Sequence, residues 1–175
     1  MGAGKANEAL ASVLLRTLVI PKAQAAEIAD FDSLEKEIAA NHPEVDMSDM
    51  LRQFKPQYYY QKQNWPKFKD AVNALILSTP NTVSANSLNS FAWAIFENCA
   101  DVACIKAALD WSKTAVEKEE NAAFYDTYAN LLHKAGDQKN AVLWAEKALA
   151  IAEASDKETY QTVLEKIKAG SPTWE

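Results

Sequence analysis

A short motif recurs 33 residues apart in the second half of the chain, and this repetition restricts the fold more than any other feature. Its two copies are residues 108–116 and 141–149, which share three identical pairs: Ala108/Ala141, Trp111/Trp144 and Ala115/Ala148. The matches fall three or four residues apart, the spacing of one helix face, and a period of 33 indicates stacked helical hairpins. We therefore predict an all-α fold.

The segments that precede the two copies also correspond. Residues 90–92 resemble residues 127–129, now 37 positions apart, so the first hairpin has four extra residues in its turn at 97–102. In the second hairpin Gly136 is expected to end a helix at positive φ, because glycine has no Cβ to clash there.

Composition agrees with a helical chain and excludes some partners. The 175 residues include only four glycines and six prolines, and the net charge is −6. Nucleic acid is excluded as a partner because no basic stripe is present to neutralise phosphates. The apolar runs near the start are too short and too charged to span a bilayer, so no integral membrane segment is predicted. A secretory signal is not recognisable either.

The second hairpin resembles a tetratricopeptide repeat (TPR), a unit of about 34 residues. The resemblance rests on alternating large and small residues at the positions Tyr125, Tyr128, Ala129, Leu132, Gly136, Ala141, Ala145 and Ala148. It departs from the usual pattern at Ala145, where an aromatic residue is common, and in lacking the closing proline. The resemblance implies a right-handed solenoid of helical hairpins with about two clear repeats and one degenerate repeat.

Three regions follow from this interpretation. Residues 1–45 are expected to form two helices, about 7–20 and 23–40, which could fold back onto the repeats. Residues 46–155 hold the hairpins, and the degenerate one turns at 63–66. Residues 156–175 form a capping helix and a tail, as the end of a repeat array requires.

A narrower resemblance covers roughly residues 50–155. The segments 91–97 and 125–132 look like the C-terminal helical regions of bacterial thioredoxin-like proteins of the Bacteroidetes type. That resemblance implies a repeat module detached from a larger envelope protein, in the periplasm; the cytoplasm is the alternative. No Cys-x-x-Cys or strand pattern corresponds to a catalytic domain, so an enzyme is not predicted.

In a TPR the first helix of each hairpin faces a concave groove, which implies a set of partner-binding residues. These are Asn89, Trp93, Glu97, Asp126, Asn130, His133 and Lys134. Amides that bond to a peptide backbone and rings that bury side chains suit a protein or peptide partner. For Trp93 and Phe96, packing against neighbouring hairpins is the competing interpretation.

Catalytic, metal and cofactor sites are not predicted. His133 has no acid or nucleophile at helical spacing, and a zinc site would need four ligands with paired spacing. Cys99 and Cys104 lie five residues apart, so a short disulfide and two free thiols both fit the sequence; the envelope resemblance favours the disulfide.

The functional prediction is a protein–protein interaction scaffold. One alternative is a non-catalytic part of a thiol–disulfide oxidoreductase that positions substrates. Another is a structural spacer. The sequence leaves the partner and the oligomeric state undetermined.

Overall fold

A computed structural model of the chain describes residues 3–79 and 82–174, and all regular secondary structure in these ranges is helical. The prediction of an all-α chain is therefore confirmed. The helices form two compact units, Met1–Asn64 and Trp65–Glu175.

The first unit has a core of large side chains. Its helices are α1 (Ala3–Leu14), α2 (Ile20–Gln24), α3 (Phe31–Asn41) and α4 (Ser48–Gln61), and a π-helical turn, Leu15–Val19, joins α1 to α2. Val19, Phe31, Ile38, Leu51 and Tyr58 are buried together.

The helix boundaries of this unit differ from the prediction. Pro21 does not end the first helix, because it lies in the first turn of α2 after the wide π turn, where a missing N–H is tolerated. The second helix begins at Phe31 instead of about residue 23, because the Asp30 side chain accepts a hydrogen bond from the Ser33 N–H and so caps it.

The predicted boundary at residue 45 also differs from the observed division into units. Residues of α4, including Leu51 and Tyr58, belong to the core of the first unit, and the division falls at Asn64. The two halves of the predicted degenerate hairpin, α4 and α5, therefore belong to different units.

The second unit contains six helices within its described residues: α5 (Trp65–Ser78), α6 (Ala85–Asn98), α7 (Val102–Lys118), α8 (Ala122–Lys134), α9 (Gln138–Ile151) and α10 (Lys157–Lys168). Side chains that accept hydrogen bonds from free backbone N–H groups cap four of them: Ser84, Asp101, Asn121 and Asp137. Each of the helices α6 to α9 therefore begins at a side-chain cap.

Two helical hairpins make up most of this unit. α6 pairs with α7 and α8 with α9, while α8 also contacts both α6 and α7. Three alanines of the α8–α9 hairpin are fully buried: Ala129 on α8, and Ala141 and Ala148 on α9. Small side chains at these positions let the helices approach closely.

Gly136 ends α8 as predicted, with φ of 88°. The Gly136 N–H bonds to the His133 carbonyl and the Asp137 N–H to the Leu132 carbonyl, the pattern of a Schellman cap. The chain therefore reverses within three residues and α9 packs back along α8.

Candidate functional site

The seven predicted partner-binding residues lie on two neighbouring helices. α6 carries Asn89, Trp93 and Glu97, and α8 carries Asp126, Asn130, His133 and Lys134, and the two helices are in contact. The C-terminal ends of α6 and α8 form one group of contacts, and a second group lies near the middle of α8.

Lys134 links the ends of the two helices. Its Nζ donates a hydrogen bond of 2.5 Å to the carbonyl of Phe96 and lies 5.3 Å from the centre of the Phe96 ring. Burial lowers the pKa of the Lys134 ammonium. This cation is therefore part of an aromatic environment and is not a freely mobile surface charge.

The C-terminal tail reaches the same place. The Trp174 ring lies 6.3 Å from the Phe96 ring in an edge-on arrangement and 5.4 Å from the imidazole of His133. The Nζ of Lys134 is 5.6 Å from the centre of the Trp174 ring. We name this group of Phe96, His133, Lys134 and Trp174 the aromatic cluster.

His133 also holds the tail through a polar contact. Its Nε2 lies 2.9 Å from the carbonyl oxygen of Ser171. A carbonyl oxygen only accepts hydrogen bonds, so this contact requires the imidazole to carry its proton on Nε2.

Asp126 and Asn130 form the second group, in the middle of α8. Asn130 is buried, and its Nδ2 donates to the backbone carbonyl of Asp126 and, at 3.1 Å, to Oδ2 of the same residue. Burial raises the pKa of the Asp126 carboxyl to about 7, although the hydrogen bond from Asn130 acts in the opposite direction. The Asn130 amide is therefore bonded within α8, and little of this pair is available to contact a partner.

The three residues on α6 differ in exposure. Glu97 is exposed, whereas Asn89 and Trp93 are half-buried, and the Trp93 ring lies 4.9 Å from that of Phe96. The Oδ1 atom of Asn89 is buried and has no hydrogen-bond partner among the described residues. Buried polar atoms are normally paired, so this amide has unused bonding capacity.

The two cysteines are free, buried thiols in this structure, and they are not joined in the disulfide that the envelope resemblance favoured. Burial raises the pKa of Cys104 to about 12, and a hydrogen bond with the Cys99 side chain adds to the effect. The hydrogen bond shows that the thiols are neighbours. A thiol held in its protonated form is a poor nucleophile.

A cavity of about 350 Å³ adjoins the aromatic cluster. Apolar side chains of α7, including Val102, Ile105 and Leu109, line it together with Lys106, Lys134 and Trp174. Its volume lies in the range of sites that take small ligands or a side chain of a partner.

The sequence interpretation missed two residues of this region, Ser171 and Trp174. Phe96 was considered both for the groove and for packing against neighbouring hairpins, and it is buried. A tryptophan placed after a proline in an otherwise polar tail is the one signal that could have indicated Trp174, because large aromatic rings rarely stay fully in solvent.

No family model, curated protein or solved structure matches the chain. Among the described residues, none of the helices has both the length and the apolar composition of a membrane span. The same residues contain no group of three or more His, Cys, Asp or Glu side chains arranged to hold a metal ion.

Proposed function

We propose that this chain is a protein–protein interaction scaffold whose second unit binds an extended peptide in the manner of a TPR. The observation that carries the proposal is the face shared by α6 and α8. It carries a half-buried tryptophan, Trp93, and, four residues earlier on the same side of α6, the half-buried amide of Asn89. Rings of this size dominate the binding energy of protein interfaces, and amides bond to peptide backbone.

The stacking of the helices supports a TPR-like arrangement. The first helices of successive hairpins, α6 and α8, lie next to each other, and a repeat solenoid builds its binding surface from such helices. The right-handed solenoid itself is part of the proposal.

A non-catalytic role is also part of the proposal. Burial raises the pKa of the Cys104 thiol to about 12, which disfavours attack by this thiol in thiol–disulfide exchange. His133 uses its Nε2 proton to bond the Ser171 carbonyl. Neither group is poised as a nucleophile or a base.

Site-specific crosslinking tests the binding role. A photo-crosslinking amino acid replaces Trp93, and the matched control carries it at Leu143, an exposed position on α9. Irradiation in the native cell is expected to give a discrete product from position 93 and none from position 143, and Asn89→Ala should reduce the yield. Equal yields from both positions would contradict the proposal.

We further propose that the protein resides in the bacterial envelope as part of a thioredoxin-associated protein, with the cytoplasm as the alternative. This proposal rests on the sequence resemblance. It is tested by fractionating the cells that produce the protein. Recovery with the periplasmic proteins would support the envelope, and recovery with the cytoplasmic proteins would contradict it.

A further inference from the structure

The C-terminal tail leaves α10 through a defined turn that aims it at the aromatic cluster. Gly170 has φ of 68°, and the Ser171 N–H bonds to the Lys166 carbonyl, so α10 ends in the same kind of cap as α8. The backbone carbonyl of the same residue, Ser171, accepts the hydrogen bond from His133. The tail is therefore fixed at its start by backbone geometry.

The end of the tail is held by its ring. Trp174 contacts the rings of Phe96 and His133 and the ammonium of Lys134. Lys134 is itself fixed by its hydrogen bond to the Phe96 carbonyl, so the cation is in place whether or not the tail is bound. Tryptophan is the side chain that a positioned cation and ring edges bind most strongly.

One of the two residues between these anchors, Thr173, fits its position poorly. The Oγ1 atom of Thr173 is buried and has no hydrogen-bond partner among the described residues. Leaving a buried hydroxyl unpaired weakens an interaction. The tail is thus an imperfect ligand, and a segment with an apolar residue at this position would bind more tightly.

Attachment to the same chain compensates for weak contacts. A short tether gives an effective concentration in the millimolar range, so a tail with little intrinsic affinity still occupies its site. A partner segment displaces the tail when the ratio of the partner's concentration to its Kd exceeds the ratio of the tail's effective concentration to the tail's own Kd. The adjoining cavity, lined by Lys106 and Lys134, offers room for a further side chain and favours an acidic residue.

We propose that Phe96, His133 and Lys134 form a recognition site for an extended peptide segment that carries a tryptophan, and that Trp174 occupies this site until a partner displaces it. The inference rests on the proposed binding role and specifies its partner. The recognised segment has a tryptophan preceded by a β-branched apolar residue, with an acidic residue close by.

The test uses the full chain with Trp174→Ala, which empties the ring site and leaves the tail attached. The probe is a capped synthetic peptide of residues 170–175, followed by NMR titration of the labelled protein. Saturable shifts are expected at Phe96, His133 and Lys134. The same peptide should bind the wild-type chain at least about tenfold more weakly, because the attached tail competes for the site.

Two altered peptides sharpen the test. A peptide with alanine in place of its tryptophan should give no saturable shift. A peptide with Thr173→Val should bind at least about fivefold more tightly than the natural one, since it buries no unpaired hydroxyl. Leu77→Ala, at an exposed position on α5, serves as the protein control and should not change the affinity.

Several results would overturn the inference. They are the absence of saturable binding to the Trp174→Ala chain, shifts confined to other helices, and equal affinity for both chains. Dimerisation of the wild-type chain through exchanged tails would show that the occupant is a second copy, which also contradicts it. The crosslinking test at Trp93 does not depend on the tail, so failure of the general binding role would be recognised separately.

Discussion

The two hairpins of the second unit, α6–α7 and α8–α9, share their helix pairing but carry different side chains at equivalent positions. Four positions on the first helix of each hairpin, 37 residues apart, form the predicted face: Asn89, Trp93, Phe96 and Glu97 on α6, and Asp126, Asn130, His133 and Lys134 on α8. In the structure Lys134 bonds to the carbonyl of Phe96. The two helices are therefore complementary at their C-terminal ends, where α6 supplies the ring and carbonyl of Phe96 and α8 supplies the Lys134 cation that contacts both.

The second helices show the same divergence at their equivalent tryptophans. Trp111 is buried, with its Nε1 donating to Asn73 at 2.9 Å and its ring against Phe68. Trp144 is half-buried against Tyr125 and carries Lys147 over its ring. A repeated motif thus defines where the helices pair, while neighbouring elements decide how deeply each copy is buried.

The largest expected effect compares these two tryptophans. Trp111→Ala should lower the free energy of unfolding by about 3–5 kcal/mol, because it leaves a cavity and an unpaired Asn73. Trp144→Ala should cost about 2 kcal/mol, since part of its ring already faces solvent. Urea denaturation followed by circular dichroism measures both. Equal losses would show that the two hairpins are buried alike.

The second prediction concerns Asp126, whose counterpart in the first hairpin is Asn89. The pKa of Asp126 is about 7 in the folded chain and 3.8 in the absence of burial. The folded state therefore binds the proton more tightly, and stability falls as pH rises from about 4 to about 7, by at most about 4 kcal/mol. Well above pH 7 the Asp126 carboxyl is ionised in both states, and the full destabilisation from burying its charge is present.

Asp126→Asn gives the second hairpin the neutral amide of the first. The variant should be more stable than the wild type at pH 8 and should match it near pH 4, which denaturation at a series of pH values measures. A variant that keeps the wild-type slope between pH 4 and 7 would assign the titration to another group.

The third prediction concerns the turns. Gly136→Ala places a Cβ on a residue with φ of 88°, although no atom lies within 4 Å of that Cβ. The destabilisation should come from backbone strain alone. The free energy of unfolding, measured by thermal or urea denaturation, should fall by about 1–2 kcal/mol. Gly136→Asn should lose less, because asparagine tolerates this conformation. If alanine and asparagine cost the same, the left-handed backbone at residue 136 is not the cause.

The smallest effect concerns Lys147, whose Nζ lies 3.8 Å from the centre of the Trp144 ring. The equivalent residue in the first hairpin is Thr114. Lys147→Thr should cost about 0.5–1 kcal/mol through the lost cation–π contact. A double-mutant cycle with Trp144→Ala isolates this contact; an unchanged cost in the alanine background would exclude it.

Sequence patterns located the second unit better than the first. Helix pairing in α6–α9 was predictable because the 33-residue repetition and the Gly136 turn are local signals. The first unit lacks such a repetition, and its π turn at Leu15–Val19 and its left-handed residue Ala26 have no simple sequence mark. The predicted helix start near residue 23 was wrong because α2 continues to Gln24 and the Asp30 cap starts α3 at Phe31.

Helical periodicity, small-residue spacing and the turn glycine were thus determined by the sequence alone, because each depends on residues within one helix or one turn. The aromatic cluster was decided only by the tertiary structure. Its contacts join residues from 38 to 78 positions apart, and the periodicity within one helix does not encode which residues of α6, α8 and the tail meet. The cap at Gly170 directs the tail, and the packing of α6 beside α8 places Phe96, His133 and Lys134 where Trp174 meets them.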